Sequence, residues 1–307
     1  MELALQTMTD YRTTLALARW AEDNGLAAMS VADHYLSGLD NTFALDQLTL
    51  LGAIAAATES IELSTLVSPV TFRHPAVMLK AAVTLDEISN GRFALGVGTG
   101  WMEEEHTAFG LDFPPLAERF ERLSEALGYL RSAMKGNGEG YPGRYYRLAE
   151  GFVAQPKGDR VALIVGGSGP RRTPALAGTF ADEFNASPSS EAYRARVEVA
   201  FQAASDAGRD PSSIRVSTAF PLVVAEDDAG VTERVRRVAE ARGEDADTIL
   251  ARWTELGIPV GTVSQVVERL AEIESEGVTR VYFQVAFDSL EDIQRDVGLV
   301  QRHMASA

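Results

Sequence analysis

Two adjacent residues, Asp33 and His34, are candidates for acid–base chemistry in this sequence. They follow a short apolar run, residues 27–32, which is typical of a buried strand. A carboxylate can fix the orientation of a neighbouring imidazole, which can then donate a proton near neutral pH. The structural alternative is a strand-end aspartate that caps the next turn beside a solvated histidine. From these residues alone, both interpretations stay open.

Two glycine-rich segments, Gly98–Gly100 and Gly166–Gly169, also follow apolar runs. Glycine lets backbone approach a ligand that a side chain would exclude. Exposed N–H groups that lead into a helix N-terminus also form anion sites. Arg171 and Arg172 follow the second segment and would add positive charge for a phosphate. The alternative is a tight turn in the first case and a loop with two solvated arginines in the second.

Length and composition restrict the class of protein. The chain has 307 residues, of which 46% are hydrophobic, so it can bury a large core. It contains no cysteine, which excludes disulfides, thiol catalysis and thiolate metal sites. A net charge of −16 argues against nucleic acid as a ligand. The N-terminal residues lack the features of a signal peptide, and the apolar runs are too short to span a membrane, so we expect a cytoplasmic protein.

The chain alternates apolar runs with helical periodicity. Strands are predicted at residues 3–6, 27–32, 61–67, 92–97, 161–165, 183–186, 214–224 and 280–285. Helices are predicted near residues 11–24, 45–58, 75–89, 114–134, 191–207, 227–242 and 263–276, with one more between the fifth and sixth strands. Residues 136–157, rich in Gly and Tyr, predict an inserted hairpin.

Eight strands, each followed by helical sequence, predict an α/β fold, a (β/α)8 TIM barrel, as one domain over residues 1–307. A doubly wound sheet is the alternative, but the GxGxxG signature is missing after the first strand. Barrel enzymes place their chemistry at the carboxyl ends of the strands. The polar and glycine-rich strand ends should therefore meet there: Gln6, Asp33-His34, Thr65 to Ser68, Gly98 to Gly100, Gly166 to Gly169 and Gln284.

The sequence resembles the bacterial luciferase-like monooxygenase superfamily, and within it the oxidoreductases that depend on the deazaflavin coenzyme F420. The resemblance is carried, in collinear order over nearly the whole chain, by five blocks: Val31–Tyr35 (VADHY), Thr65–Pro75, Leu85–Trp101, Gly166–Arg172 (GGSGPRR) and Gly277–Val285. It implies transfer of a hydride between F420 and a small organic substrate, with His34 as proton donor and Asp33 as its orienting residue. The blocks discriminate poorly between F420 and FMN.

The resemblance also implies a set of cofactor contacts. Asp33 and His34 would lie beside the central ring of the cofactor, and a non-proline cis peptide at Thr65-Leu66 would form a bulge against which the ring packs. Ser68 would donate to the polar edge of the ring. The other implied contacts are Thr99, Gly100 and Glu104, and, for the phosphate of the cofactor side chain, Gly166, Gly167, Ser168, Gly169, Arg171 and Arg172.

Trp101 is a departure from part of the family. It stands where the sugar-phosphate dehydrogenases of the family carry a catalytic glutamate, which argues against a sugar-phosphate substrate. Two alternatives remain within the superfamily: an FMN-dependent monooxygenase and a non-catalytic flavin-binding protein. The resemblance further implies a homodimer and no metal site.

Overall fold

The computed structural model describes residues 1–36, 43–156, 160–189, 191–285 and 289–306. The predicted end of the insertion, residue 157, and the last residue of the predicted domain lie outside these ranges. Thirteen strands are present in the described ranges: β1 Glu2–Thr7, β2 Ala28–Val31, β3 Glu62–Thr65, β4 Ser68–Pro69, β5 Phe93–Gly98, β6 Tyr141–Pro142, β7 Arg147–Leu148, β8 Ala162–Gly167, β9 Glu183–Ala186, β10 Arg215–Pro221, β11 Val223–Ala225, β12 Val260–Thr262 and β13 Arg280–Gln284.

The helices surround these strands. In the same ranges they are α1 Tyr11–Asp23, α2 Gln47–Ala57, α3 Pro75–Ser89, α4 Glu103–Phe109, α5 Leu116–Met134, α6 Arg172–Phe180, α7 Tyr193–Asp206, α8 Asp228–Arg242, α9 Ala246–Glu255, α10 Val263–Ser275 and α11 Leu290–Ser306. Local sequence explains several starts. The Asp10 side chain accepts from the backbone N–H groups of Arg12 and Thr13 at the start of α1. Pro75 occupies the first turn of α3, where its missing N–H has no cost. None of the helices described here is long and apolar enough to cross a membrane.

Eight parallel strands close into a barrel. Their order is β1, β2, β3, β5, β8, β9, β10 and β13, and β13 pairs with β1 to complete the ring. The predicted (β/α)8 barrel is therefore confirmed. The short strands β6 and β7 pair antiparallel, as expected for the inserted hairpin. At the amino end of the barrel, buried Arg280 donates to Glu2 and Glu62, each at 2.7 Å. Charged side chains are thus paired at that end of the barrel.

One predicted strand was wrong in extent. Residues 214–224 form two strands, because β10 ends at Pro221 and β11 pairs with β12 in a separate two-stranded parallel sheet. Together with α8 and α9, this small sheet forms a module over residues 223–262, which we call the β11–β12 module. The module has an apolar cluster of its own that includes Val235, Ile249 and Trp253.

Three helices, α4, α9 and α11, were not predicted. In α9 the buried residues are Ile249 and Trp253, which are one helical turn apart. A single pair of this kind is too short to establish a helical period. Helix α4 has seven residues and begins with three glutamates, so its sequence is also not periodic.

Candidate functional site

A cavity of about 810 Å³ opens at the carboxyl end of the barrel. This volume is in the range of small-molecule and cofactor sites. The structure brings together there the strand-end residues that the sequence singled out: Gln6, Asp33, His34, Leu66, Val67, Gly98, Thr99, Gly100, Gly166, Gly167, Ser168, Gly169 and Gln284. They come from several strands that are far apart in sequence, so closure of the barrel is what assembles the site.

His34 is held by a carboxylate other than the predicted one. Its Nδ1 lies 3.0 Å from Oε1 of buried Glu105 on α4. The second oxygen of Glu105 accepts from the backbone N–H of Tyr35 at 2.8 Å. Burial opposes ionisation of Glu105, but the hydrogen bond from His34 and those from backbone amides hold the pKa of this carboxyl below its usual value. The prediction that Asp33 orients His34 was therefore wrong.

Asp33 takes part in a different network. Its carboxylate is bound by Arg73, which also donates to Asp46 at 2.6 Å. Burial nevertheless raises the pKa of Asp33, since the arginine offsets only part of the desolvation. Asp33 lines the cavity beside His34 but is fixed by Arg73, so its predicted contact with a cofactor stays a prediction.

The stabilising role of the Glu105 carboxylate can be tested by measuring the stability of the protein. Because its pKa is lowered in the fold, its stabilising effect is present above the ordinary carboxyl pKa and is lost as pH falls through the lowered value. We expect Glu105→Gln to lower the free energy of unfolding at neutral pH by about 1–3 kcal/mol. The variant should then lose less stability than the wild type between neutral pH and about pH 3. Denaturant unfolding at both pH values measures this.

Glu104→Gln is the matched control, because Glu104 is the preceding residue of the same helix and is exposed. It should unfold like the wild type at both pH values. If the two variants had equal stabilities and equal pH dependence, Glu105 would not be the residue that anchors His34.

A bulge between β3 and β4 forms one wall of the cavity. The backbone has a non-proline cis peptide at Leu66-Val67, one residue after the predicted position, Thr65-Leu66, which was wrong. Leu66 and Val67 both line the cavity. The side-chain amide of Gln6 donates to the Leu66 carbonyl, and Gln284 donates to Gln6 at 2.8 Å. The bulge is thus held by side chains from β1 and β13, the first and last strands of the barrel.

The glycines of β5 make room for this bulge. A Cβ atom on Gly96 would lie 2.0 Å from the carbonyl oxygen of Thr65, and one on Gly98 would lie 2.8 Å from Val67 Cγ2. Real Cβ atoms do not approach other atoms so closely. The first of these glycine-rich strand ends therefore accommodates protein backbone and a valine. At this strand end, Gly98, Thr99 and Gly100 line the cavity.

Five predicted contact residues do not line the cavity: Thr65, Ser68 and Glu104, and the two arginines Arg171 and Arg172. Thr65 is fully buried, and its hydroxyl donates to the Gly96 carbonyl at 2.9 Å. Ser68 is also fully buried and receives a hydrogen bond of 2.6 Å from Gln47. Glu104 is exposed on α4. The side chains of Thr65 and Ser68 are thus hydrogen-bonded inside the protein, and Glu104 faces solvent. Their predicted contacts with a cofactor stay predictions.

The second glycine segment, Gly166–Gly169, does lie on the cavity wall, directly before α6. Thr173, in the first turn of α6, also lines the cavity and is buried. Arg171 and Arg172 are exposed and do not line the cavity, and Arg172 lies 5.3 Å above the ring of Phe120. The backbone of this segment thus faces the cavity, whereas the two arginines lie outside it.

Sequence reasoning missed several residues of the cavity, including Arg119, Asn185 and Arg242. Arg119 is buried, donates to the carbonyls of Gly100 and Pro114, and stacks 3.9 Å above Phe113. Arg119 and Arg242 have no sequence neighbourhood that distinguishes them from surface residues. Asn185, at a strand end like the residues that were identified, had the one available signal.

The fold and the cavity define a (β/α)8 barrel with a ligand site at the carboxyl edge. The chain belongs to the luciferase-like monooxygenase family, whose family model matches residues 2–280. It is 28% identical over 320 aligned positions to the F420-dependent glucose-6-phosphate dehydrogenase of Nocardia farcinica, covering 96% of this chain and 93% of that protein.

Two further similarities support the family and the fold. The chain is 36% identical over 166 residues to the protein of the same name from Microbacterium testaceum (strain StLB037), which covers 53% of this chain. In that match it spans about half, 49%, of the relative's length. The solved coenzyme F420 dependent tetrahydromethanopterin reductase of Methanopyrus kandleri superposes with a TM-score of 0.75 at 22% identity, covering 99% of this chain and 98% of that one.

Proposed function

We propose that this protein is an oxidoreductase that transfers a hydride between coenzyme F420 and a small organic substrate. The observation that carries the proposal is His34, fixed by buried Glu105 at the edge of a cavity beside the Leu66-Val67 bulge. The relatives named above, which are F420-dependent by name, support the choice of cofactor.

The residues present fit such a cofactor. The bulge offers an apolar surface for a flat ring, and the Gly166–Gly169 segment leads into α6 with backbone that a phosphate can approach. When bound, the deazaflavin supplies or accepts the hydride. The protein's part is to exclude water, to orient the ring against the bulge and to manage the proton that accompanies the hydride.

His34 is suited to handle that proton. The bond from Nδ1 to Glu105 assigns the proton of the neutral imidazole to Nδ1. Nε2 is then the nitrogen that gains or releases a proton during the reaction.

The substrate we propose is not a sugar phosphate. Trp101 lines the cavity, with its ring 5.8 Å from that of His34 in an edge-on contact. It occupies the position at which the sequence resemblance expects a glutamate in sugar-phosphate dehydrogenases. An indole beside the proton donor favours a less polar substrate.

The cofactor assignment is tested by affinity. We expect F420 to bind at least about tenfold tighter than FMN, because its longer anionic tail could extend past the Gly166–Gly169 segment to Arg171 and Arg172, which are exposed just outside the cavity. Isothermal titration of the purified protein with each cofactor measures both dissociation constants. Equal or reversed affinities would favour the FMN monooxygenase, and binding without turnover of any acceptor would favour a non-catalytic flavin-binding protein.

We also propose that the protein is a cytoplasmic homodimer and folds as one domain. Helix α3 leaves Val77 and Ile88 exposed, at 56% and 44%, beside the early strands. Two such residues on one helix provide apolar surface of the kind that subunit interfaces cover.

A further inference from the structure

The indole of Trp101 is exposed at the cavity. Trp101 lines the cavity, and its side chain is among the most exposed large apolar ones described, at 69%. Its ring meets that of His34 edge-on, with the centroids 5.8 Å apart and the two planes at 78°. Whichever of the two rings presents its edge, at least one face of the indole is not covered by His34. That face is open to a ligand bound beside the proton donor.

Buried side chains fix the backbone on both sides of Trp101. Arg119 donates to the carbonyl of Gly100, and Nδ1 of His106 donates to the carbonyl of Met102 at 2.7 Å. Both donors belong to buried residues. The two peptide groups that flank the tryptophan are thus held from inside the protein. A ligand that contacts the indole therefore does not have to order the loop that carries it, which lowers the entropic cost of binding.

The cavity wall next to the indole is apolar. Leu116 and Phe120 line the cavity from α5, the helix whose Arg119 holds the loop of Trp101. Leu116 is itself 52% exposed. Together with the indole, these side chains form an apolar surface that a ligand can cover.

On the far side, the cavity is bounded by the β11–β12 module. Along the ring of eight strands, β10 is four steps from β3 in either direction, so the two strands are diametrically opposed. The bulge follows β3, and the module follows β10. Val238, Leu256 and Ile258 of the module line the cavity. A molecule that lies between a ring on the bulge and the module therefore meets apolar side chains there.

The charges next to the indole disfavour an anion. Glu103 and Glu104 follow Trp101 directly in the first turn of α4, and both are exposed. Their carboxylates would repel a negatively charged group that lay on the indole. The group that fits this surface is therefore apolar and carries no negative charge.

We propose that the substrate carries an uncharged aromatic ring, and that this ring stacks on the open face of the Trp101 indole. This inference rests on the proposed function, since it takes the substrate to react beside His34. Offset-stacked aromatic rings attract each other by more than the burial of their area, so a planar ring gains more from an indole than an aliphatic body does. Trp101 is then the residue that sets the specificity for aromatic substrates.

The test is a calorimetric titration of the F420-loaded protein with aromatic alcohols and their saturated counterparts. The probes are benzyl alcohol with cyclohexylmethanol, and 2-naphthylmethanol with decahydro-2-naphthylmethanol. Burial of apolar area alone would favour the saturated member of each pair, because its ring is larger and less polar. We expect at least one aromatic alcohol to bind about fivefold or more tightly than its saturated counterpart.

The variants separate stacking from other effects. Trp101→Leu should bring the affinities of the two members of each pair to within about twofold, and Trp101→Phe should keep part of the aromatic preference. The matched control is Phe152→Leu, because Phe152 is 65% exposed but does not line the cavity. It should leave the preference unchanged. Thermal unfolding of each variant shows whether it is folded.

Three results would overturn the inference. They are a wild-type protein with an equal or reversed preference, a preference that survives Trp101→Leu, and a loss of F420 affinity in that variant, which would assign the indole to the cofactor. Repeating the titration without added F420 separates this inference from the proposed function. An aromatic preference that depends on Trp101, in a protein that binds no F420, would retain the stacking and refute the function.

Discussion

Replacing His34 by alanine should lower turnover at least about a hundredfold and leave the dissociation constant for F420 within a few-fold of the wild-type value. General acid–base groups contribute about 10²–10⁴ to rate. Nδ1 of His34 is hydrogen-bonded to Glu105, so Nε2 is the nitrogen that can exchange a proton with the substrate. The fall in turnover should therefore measure the contribution of Nε2. The side chain is partly exposed at the cavity wall, so its removal leaves the bulge and the glycine segment in place.

Steady-state kinetics with a substrate of the wild-type enzyme, together with a cofactor titration, measure both quantities. His303→Ala is the matched control, because His303 lies in α11 and does not line the cavity. It should behave like the wild type in both assays. Full turnover in the His34→Ala enzyme would show that His34 only lines the cavity. If cofactor affinity fell by the same factor as turnover, His34 would be a cofactor-binding residue.

Gly96→Ala should be among the most destabilising single substitutions in the barrel. Its Cβ would lie 2.0 Å from the Thr65 carbonyl oxygen, which is backbone and cannot rotate away. Either β5 or the bulge must move. We expect the free energy of unfolding to fall by about 3 kcal/mol or more, the upper range for overpacking in a core. Because Leu66 and Val67 belong to the bulge, F420 affinity should also fall at least about tenfold.

Gly52→Ala provides the matched control for this substitution. Gly52 lies in α2, and the nearest atom to an added Cβ is Leu85 Cδ2 at 3.7 Å, an ordinary contact. Alanine favours helix over glycine by about 1 kcal/mol, so this variant should be as stable as the wild type or more stable. Equal stabilities for Gly96→Ala and Gly52→Ala in denaturant unfolding, with unchanged cofactor binding, would contradict the role given to Gly96.

The cost of a Cβ at Gly96 also shows where local sequence was a poor guide. Glycines after a strand predict that another group comes close to the backbone. The sequence does not say whether that group is a ligand or another part of the protein. At Gly98 the neighbour is Val67, and at Gly166 it is again Val67, 3.0 Å from an added Cβ. Protein atoms from a segment thirty or more residues away occupy the space that a ligand was expected to approach. The identity of that neighbour depends on strand order, which is a property of the whole barrel.

Local pattern was sufficient for the architecture. Each barrel strand is a short apolar run between turn signals, and most of the flanking helices have an apolar face and a recognisable start, as at Asp10 and Pro75. Parallel strands joined by helical crossovers can adopt only a few topologies. The sequence therefore predicted a barrel with its site at the carboxyl ends of the strands. Residues at strand ends were found for that reason.

Tertiary structure alone decided which side chains cooperate. Glu103, Glu104 and Glu105 are equivalent in sequence, and only the packing of α4 turns the third of them inward to His34, 71 residues away. Arg242 reaches the cavity because a module with its own core stands opposite the bulge. Sequence determined the barrel and the edge that carries the site, because these follow from periodicity within each element. The partners within the site depend on contacts between elements distant in the chain, and those exist only once the barrel has closed.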